Sequence, residues 1–79
     1  MKIFEYNDAK LYKYAVQVPP TSGLYAERFA GYYTWCAEQF GEADMYIWTW
    51  NVDPGNHNTR IFRFTNEEHR TFFILRFSK

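Results

Sequence analysis

The chain predicts a small α+β domain in the order strand, helix, hairpin, helix, with an antiparallel-rich sheet of three or four strands packed on one long helix and a C-terminal helix. Three observations lead there. Residues 12–18 alternate apolar and polar with period two. A Pro/Gly-punctuated break at Pro19-Pro20-Thr21-Ser22-Gly23 then gives way to helical periodicity, and two aromatic-rich runs flank Asp53-Pro54-Gly55-Asn56. At 79 residues the chain forms one domain, 1–79, and a chain this short needs a dense core to offset its conformational entropy. Eight Phe, seven Tyr and three Trp supply it, since each aromatic ring can bury roughly 150–250 Å².

In the first strand Tyr12, Tyr14, Val16 and Val18 fall on one face, with Lys13, Ala15 and Gln17 between them. Residues 2–6 add a short strand through a turn at Asn7-Asp8. Ser22 as N-cap and Gly41 as stop predict a helix over 23–40, about 27 Å long. Steps of 100° gather Tyr25, Phe29, Tyr32, Tyr33, Cys36 and Phe40 on its apolar face. Trp35 falls beside the polar face, which leaves it either lying over its neighbours' stems or touching a partner.

Pro54-Gly55 fits the central positions of a type II turn, where Gly accepts positive φ. If Asp53 and Asn56 close that turn, Ile47 opposes Phe62, Met45 opposes Phe64, Trp48 opposes Ile61 and Tyr46 opposes Arg63. Directly opposed residues share a face. One face then carries Met45, Ile47, Phe62 and Phe64, and the other Tyr46, Trp48, Trp50, Ile61 and Arg63. A bulge or a longer loop would mix these sets.

For the last segment, Thr65 with Glu68 forms a capping box and predicts a helix over 66–77 with acidic residues in its first turn. The alternative is a buried strand, because residues 71–77 are β-prone and apolar on every side of a helix.

The stretch Ile61-Phe62-Arg63-Phe64-Thr65-Asn66-Glu67-Glu68, followed by Thr71-Phe72-Phe73-Ile74-Leu75-Arg76-Phe77, resembles the ending of small uncharacterised proteins of tailed bacteriophages. The resemblance covers the last fifth to quarter of the chain. It implies a phage accessory protein acting in the host cytoplasm, which binds and blocks a host or defence protein. It assigns no residue roles.

Composition narrows the function classes. Nine Lys and Arg balance nine Asp and Glu, so the electrostatic footprint of an indiscriminate DNA binder is missing. The lone Cys36 has no internal disulfide partner, and the residues at the start alternate polar and apolar instead of forming a secretory core; both point to the cytoplasm. No apolar run reaches the roughly 20 residues that span a bilayer. Cys36, Asp53, His57 and His69 lie singly in different elements, without the close spacing of a zinc site. A Cys36–His nucleophile pair would need the thiol exposed, whereas Cys36 falls on the apolar face of its helix. Neither a catalytic set nor a cofactor or metal site is expected.

What remains is aromatic surplus. Two helices cover one side of a sheet, so an apolar second side needs another cover. The expected binding residues are Trp35, Tyr46, Trp48, Trp50, Ile61 and Arg63, of the types enriched in binding hot spots. The expected function is a non-enzymatic protein-binding module, with self-association as a homodimer or small homo-oligomer as one alternative and single-stranded nucleic acid stacked on the Trp face as the other. If the Trp face is instead the core, the surplus vanishes.

Overall fold

A computed structural model of the chain describes residues 1–21 and 27–78. Its elements are β1 (Lys2–Glu5), β2 (Tyr14–Val18), α1 (Ala30–Phe40), β3 (Trp48–Val52), β4 (Arg60–Phe64) and α2 (Glu67–Phe77). The strands form one four-stranded antiparallel sheet in the order β1-β2-β4-β3. The fold is α+β as expected. It gains β1 as a full strand, and the C-terminal segment is a helix.

The hairpin register differs from expectation, and the loop explains it. Asn56 N–H does donate to the Asp53 carbonyl at 3.2 Å, closing a turn around Pro54-Gly55. A second turn follows at once, Thr59 N–H to the Asn56 carbonyl at 3.0 Å, and Asp53 N–H then donates to the Thr59 carbonyl at 3.4 Å. Gly55 lacks the positive φ of a type II turn; among the described glycines only Gly41 has one. The connection is therefore three residues longer than the short turn, and pairing slides by three. Trp48 opposes Phe64, Trp50 opposes Phe62 and Val52 opposes Arg60, while Met45, Tyr46 and Ile47 precede the strand.

An odd slip moves every side chain of β3 to the other face. Trp48 and Trp50 thus join Phe62, Phe64, Tyr14, Val16 and Val18 on the side covered by the helices. The opposite side carries Gln17, Thr49, Asn51 and Arg63, with Ala15 and Ile61 buried among them. Among the described residues the expected second apolar face is not formed. Trp48 is a core residue, 3% exposed, with its indole N–H donating to the Gly41 carbonyl at 2.7 Å. Truncating it to Ala is a core mutation of about 3–5 kcal/mol.

Helix α1 begins at Ala30 among the described residues, later than expected; Ser22 and the stretch 23–26 lie outside them. Residues 27–29 do not join the helix: Thr21 N–H bonds the Arg28 carbonyl at 2.7 Å, and Phe29 flanks the helix with φ −127°. Phe29, Tyr32 and Cys36 are buried, and burial pushes the Cys36 thiol up to about 12 and raises the Tyr32 phenol, whose O–H donates to the Pro19 carbonyl at 2.8 Å. Gly41, with φ +82°, ends the helix as expected, its N–H donating to the Ala37 carbonyl.

The expected cap of α2 is corrected too. Thr65 is engaged elsewhere, and Asn66 is the N-cap, its side chain accepting from Glu68 N–H at 2.8 Å. Phe73 is buried and stacks on Phe62 with ring centroids 5.2 Å apart. Arg70, also buried, ties α2 to β1, donating to the Phe4 carbonyl at 2.9 Å and the Glu5 carboxylate at 2.5 Å, with Glu67 at 3.3 Å. Its guanidinium is thereby paired rather than buried alone.

Asp53 holds the double turn. One carboxylate oxygen accepts from Gly55 N–H at 2.9 Å; the other accepts from the Thr59 hydroxyl at 2.9 Å and from the Gln17 side-chain amide on β2. The Gly55 N–H foremost, then Thr59 and Gln17, hold its carboxyl below the usual carboxylate value of 3.8. A lowered folded value means that the bound carboxylate stabilises the fold fully above the ordinary range and that this contribution is lost as pH falls through the folded value. The thermal unfolding midpoint of the wild-type chain should therefore fall on acidification in part through Asp53. In Asp53→Asn the midpoint at neutral pH should be lower and its acid limb shallower; an unchanged limb would show that Asp53 is not bonded this way.

Candidate protein-contact surface

The six expected binding residues occupy three places instead of one surface. Trp48 and Ile61 are buried, on opposite sides of the sheet. Trp35 does not stand beside a bare polar face: α2 covers it, and its ring packs edge-on against Phe40, Phe73 and Phe77 at 5.6–6.0 Å. Arg63 lies on the side away from the helices. Its guanidinium sits 4.0 Å from the centre of the Tyr6 ring, and its Nε donates to the Tyr12 carbonyl at 2.9 Å. Trp50 is 40% exposed and rests on Tyr33, ring centroids 4.9 Å apart. Arg60 is stacked 4.3 Å over Phe29. Among the described residues, Trp48, Trp50, Arg60 and Arg63 do not together form one open face.

Tyr46 alone of the six stands well out, 71% exposed, with Met45 and Ile47 exposed on either side. The segment that carries it is bent in an unusual way. Tyr46 has φ +72° and Asp44 φ +65°, and Tyr12, on the loop between β1 and β2, has φ +55°. Asp accepts the left-handed region comparatively easily; a Tyr there is strained, at a cost on the order of 1–3 kcal/mol. These three are all the described non-glycine residues with positive φ, and they meet at one corner.

Thr65 and Tyr12 pin that corner. The Thr65 hydroxyl donates to the Tyr46 carbonyl at 2.7 Å and accepts from Tyr12 N–H at 3.3 Å. Thr65 N–H donates to the Ile47 carbonyl at 3.0 Å. The Tyr12 phenol oxygen in turn accepts from Tyr46 N–H at 2.9 Å. Asp44 secures the other end, its N–H donating to the Trp48 carbonyl at 2.9 Å and its carboxylate accepting from the Thr49 hydroxyl. Two loops distant in sequence are thus locked together, and they hold Leu11, Met45, Tyr46 and Ile47 exposed.

Sequence reasoning missed Leu11, Tyr12, Met45, Ile47 and Thr65. Met45-Tyr46-Ile47 continues the β-prone run into Trp48, and nothing in a Tyr marks a left-handed φ. The nearest signal is Gly41-Glu42-Ala43-Asp44, whose Gly and Asp favour a turn ahead of the strand.

Among the described residues there is no cavity and no group of three or more His, Cys, Asp or Glu side chains placed to hold a metal ion. His57 is exposed in the β3–β4 loop, His69 lies against the Phe40 ring at 4.5 Å, and Cys36 is buried. Among the described residues no helix is long and apolar enough to cross a membrane. No protein-family model, curated protein or solved structure matches the chain.

Because a single hydroxyl serves both loops, Thr65→Val removes two hydrogen bonds at nearly constant shape. Chemical denaturation should show a loss of about 1–3 kcal/mol, and amide exchange at Tyr12 and Tyr46 should accelerate more than exchange within β2 and β4. Uniform acceleration across the sheet, or none at all, would show that Thr65 does not lock this corner.

Proposed function

We propose that this chain is a non-enzymatic protein-binding module that presents the pinned corner, with Tyr46 at its centre and Met45 and Ile47 beside it, to a protein partner. The observation that carries the reading is the combination at Tyr46 of exposure and strain. An apolar side chain held in water on a backbone conformation that costs free energy stabilises nothing inside the fold, and such costs concentrate where a surface is used. Preorganisation also lowers the entropy lost on binding, which favours a rigid corner over a loose one. Tyr is among the residue types that dominate contact energies.

The resemblance of the C-terminal stretch to phage accessory proteins supplies the setting: a phage-encoded protein in the host cytoplasm, with a host or defence protein as the partner that it modulates or inhibits. The balanced charge favours a partner recognised by shape and apolar contact over one recognised through a polyanionic backbone.

Affinity capture from host lysate tests this with two variants in parallel. The wild-type chain should retain a specific host protein. Tyr46→Ala should bind that protein more weakly by about 2 kcal/mol or more, while its unfolding midpoint stays near wild type because the side chain is exposed. Trp50→Ala should retain binding. Equal capture by the wild type and Tyr46→Ala, or no capture by either, would count against the reading.

A further inference from the structure

The two edges of the sheet are treated differently. On β3, the bonds of Thr65 N–H to the Ile47 carbonyl and of Asp53 N–H to the Thr59 carbonyl fix the alternation, so that Trp48, Trp50 and Val52 turn their backbone groups away from β4. Two of those three outward carbonyls already have donors: Asp44 N–H on Trp48 at 2.9 Å, and the Asn51 side-chain amide on Val52 at 3.1 Å. The backbone of Asp44 also stands where an added strand would have to pass beside Trp48. Among the described residues Trp48 N–H, Val52 N–H and both backbone groups of Trp50 still point outward unpaired, but Asp44 obstructs the run at Trp48.

On β1, Tyr6 N–H donates to the Lys13 carbonyl at 2.9 Å, so Lys2 and Phe4 face β2 while Ile3 and Glu5 direct their N–H and C=O groups outward. Among the described residues none of those four groups has a hydrogen-bond partner. Ile3 is 53% exposed, and the strand contains no Pro or bulge to discourage pairing. An edge of this kind is a template for another strand.

We propose that β1 pairs antiparallel with β1 of a second copy of this chain, joining two sheets into one of eight strands about a two-fold axis through Phe4. The argument for a second copy is self-complementarity. Placing Ile3 opposite Glu5 of the second copy matches outward groups to outward groups and makes four N–H···O=C bonds across the axis. Phe4 then opposes Phe4 of the second copy, a cross-strand aromatic pair, and Lys2 opposes Tyr6. No like charges stand directly opposite each other. Glu5 is already neutralised within its own chain by Arg70 at 2.5 Å. The proposal goes beyond the protein-binding reading and uses none of the residues of the Tyr46 corner.

Light scattering on the purified chain over a range of concentrations tests it, with Ile3→Pro and Ile3→Thr alongside. Proline removes only the outward N–H of Ile3 and leaves the β1–β2 ladder intact. The expected result is a wild-type mass twice that of the 9.6 kDa chain, the single-chain mass for Ile3→Pro with an unchanged circular dichroism spectrum, and the doubled mass for Ile3→Thr. A wild-type chain that stays single at every concentration, or a dimer that Ile3→Pro leaves intact, overturns the proposal. Should Ile3→Pro fail to fold, Phe4→Cys decides. Facing residues of a non-hydrogen-bonded pair lie about 4.5 Å apart at Cα, within disulfide reach, and buried Cys36 does not compete. Oxidation should then link two chains; a product that remains single overturns the proposal.

Discussion

The Asp53 carboxylate, bonded to Gly55, Thr59 and Gln17, fixes the length of the β3–β4 connection. It holds two turns in series where one would have closed the hairpin, and so it sets how far Val52 and Arg60 lie from the loop tip. That length decides the register of β3 on β4, and the register decides which face of the sheet receives Trp48 and Trp50. Because the Gln17 amide comes from β2, the same carboxylate also joins the hairpin to the preceding strand. Which aromatic rings of β3 are free to touch another molecule follows from these bonds.

With that register, one layer of helices suffices. Phe62, Phe64 and Phe73 are fully buried, and Trp48 and Tyr32 close around them. The side of the sheet away from the helices is held by polar and mixed contacts: Arg63 on Tyr6 and Tyr12, Gln17 on Asp53. Of the aromatic residues expected on a second face, Trp48 is core, Trp50 lies partly exposed on the helix side against Tyr33, and Tyr46 lies outside the strand. Exposed apolar groups remain in smaller places: the Tyr46 corner, Met1 and Ile3 at the β1 edge, Trp50 and Val52 on β3, and Phe72 and Leu75 on the outer side of α2. Of these, the corner is the one held at a backbone cost, and on β1 every outward N–H and C=O is unpaired among the described residues.

Much of the fold was legible in the sequence. The period-two alternation marked β2, Gly41 marked the end of α1, and Pro54-Gly55 marked a turn between two strands. The acidic start of α2 outweighed its β-prone middle, because Asn66 caps it and Phe73 finds the core. The register was not legible: Asn56 does carry a local turn signal, its side chain accepting from Asn58 N–H at 2.9 Å, but that signal does not fix how many residues the connection takes. The cap of α2 was misplaced for a related reason: Thr65 suits a capping box, but its hydroxyl is taken by Tyr12 and Tyr46, contacts distant in sequence that composition and periodicity cannot register. Of the six expected contact residues, exposure could not be read for Trp35, Trp48 or Ile61, because each depends on α2 or on the register. Tyr46 belongs to a β-prone run in the sequence and stands instead on a strained loop ahead of β3.

Cross-strand proton contacts in the nuclear Overhauser spectrum measure the register directly. Facing Hα atoms of Trp48 with Phe64 and of Trp50 with Phe62 should give strong signals, as those of non-hydrogen-bonded antiparallel pairs do. Backbone signals joining Trp48 to Ile61 and Ile47 to Phe62 would instead place the indole of Trp48 on the other face of the sheet, and the assignment of core and contact surface would be wrong.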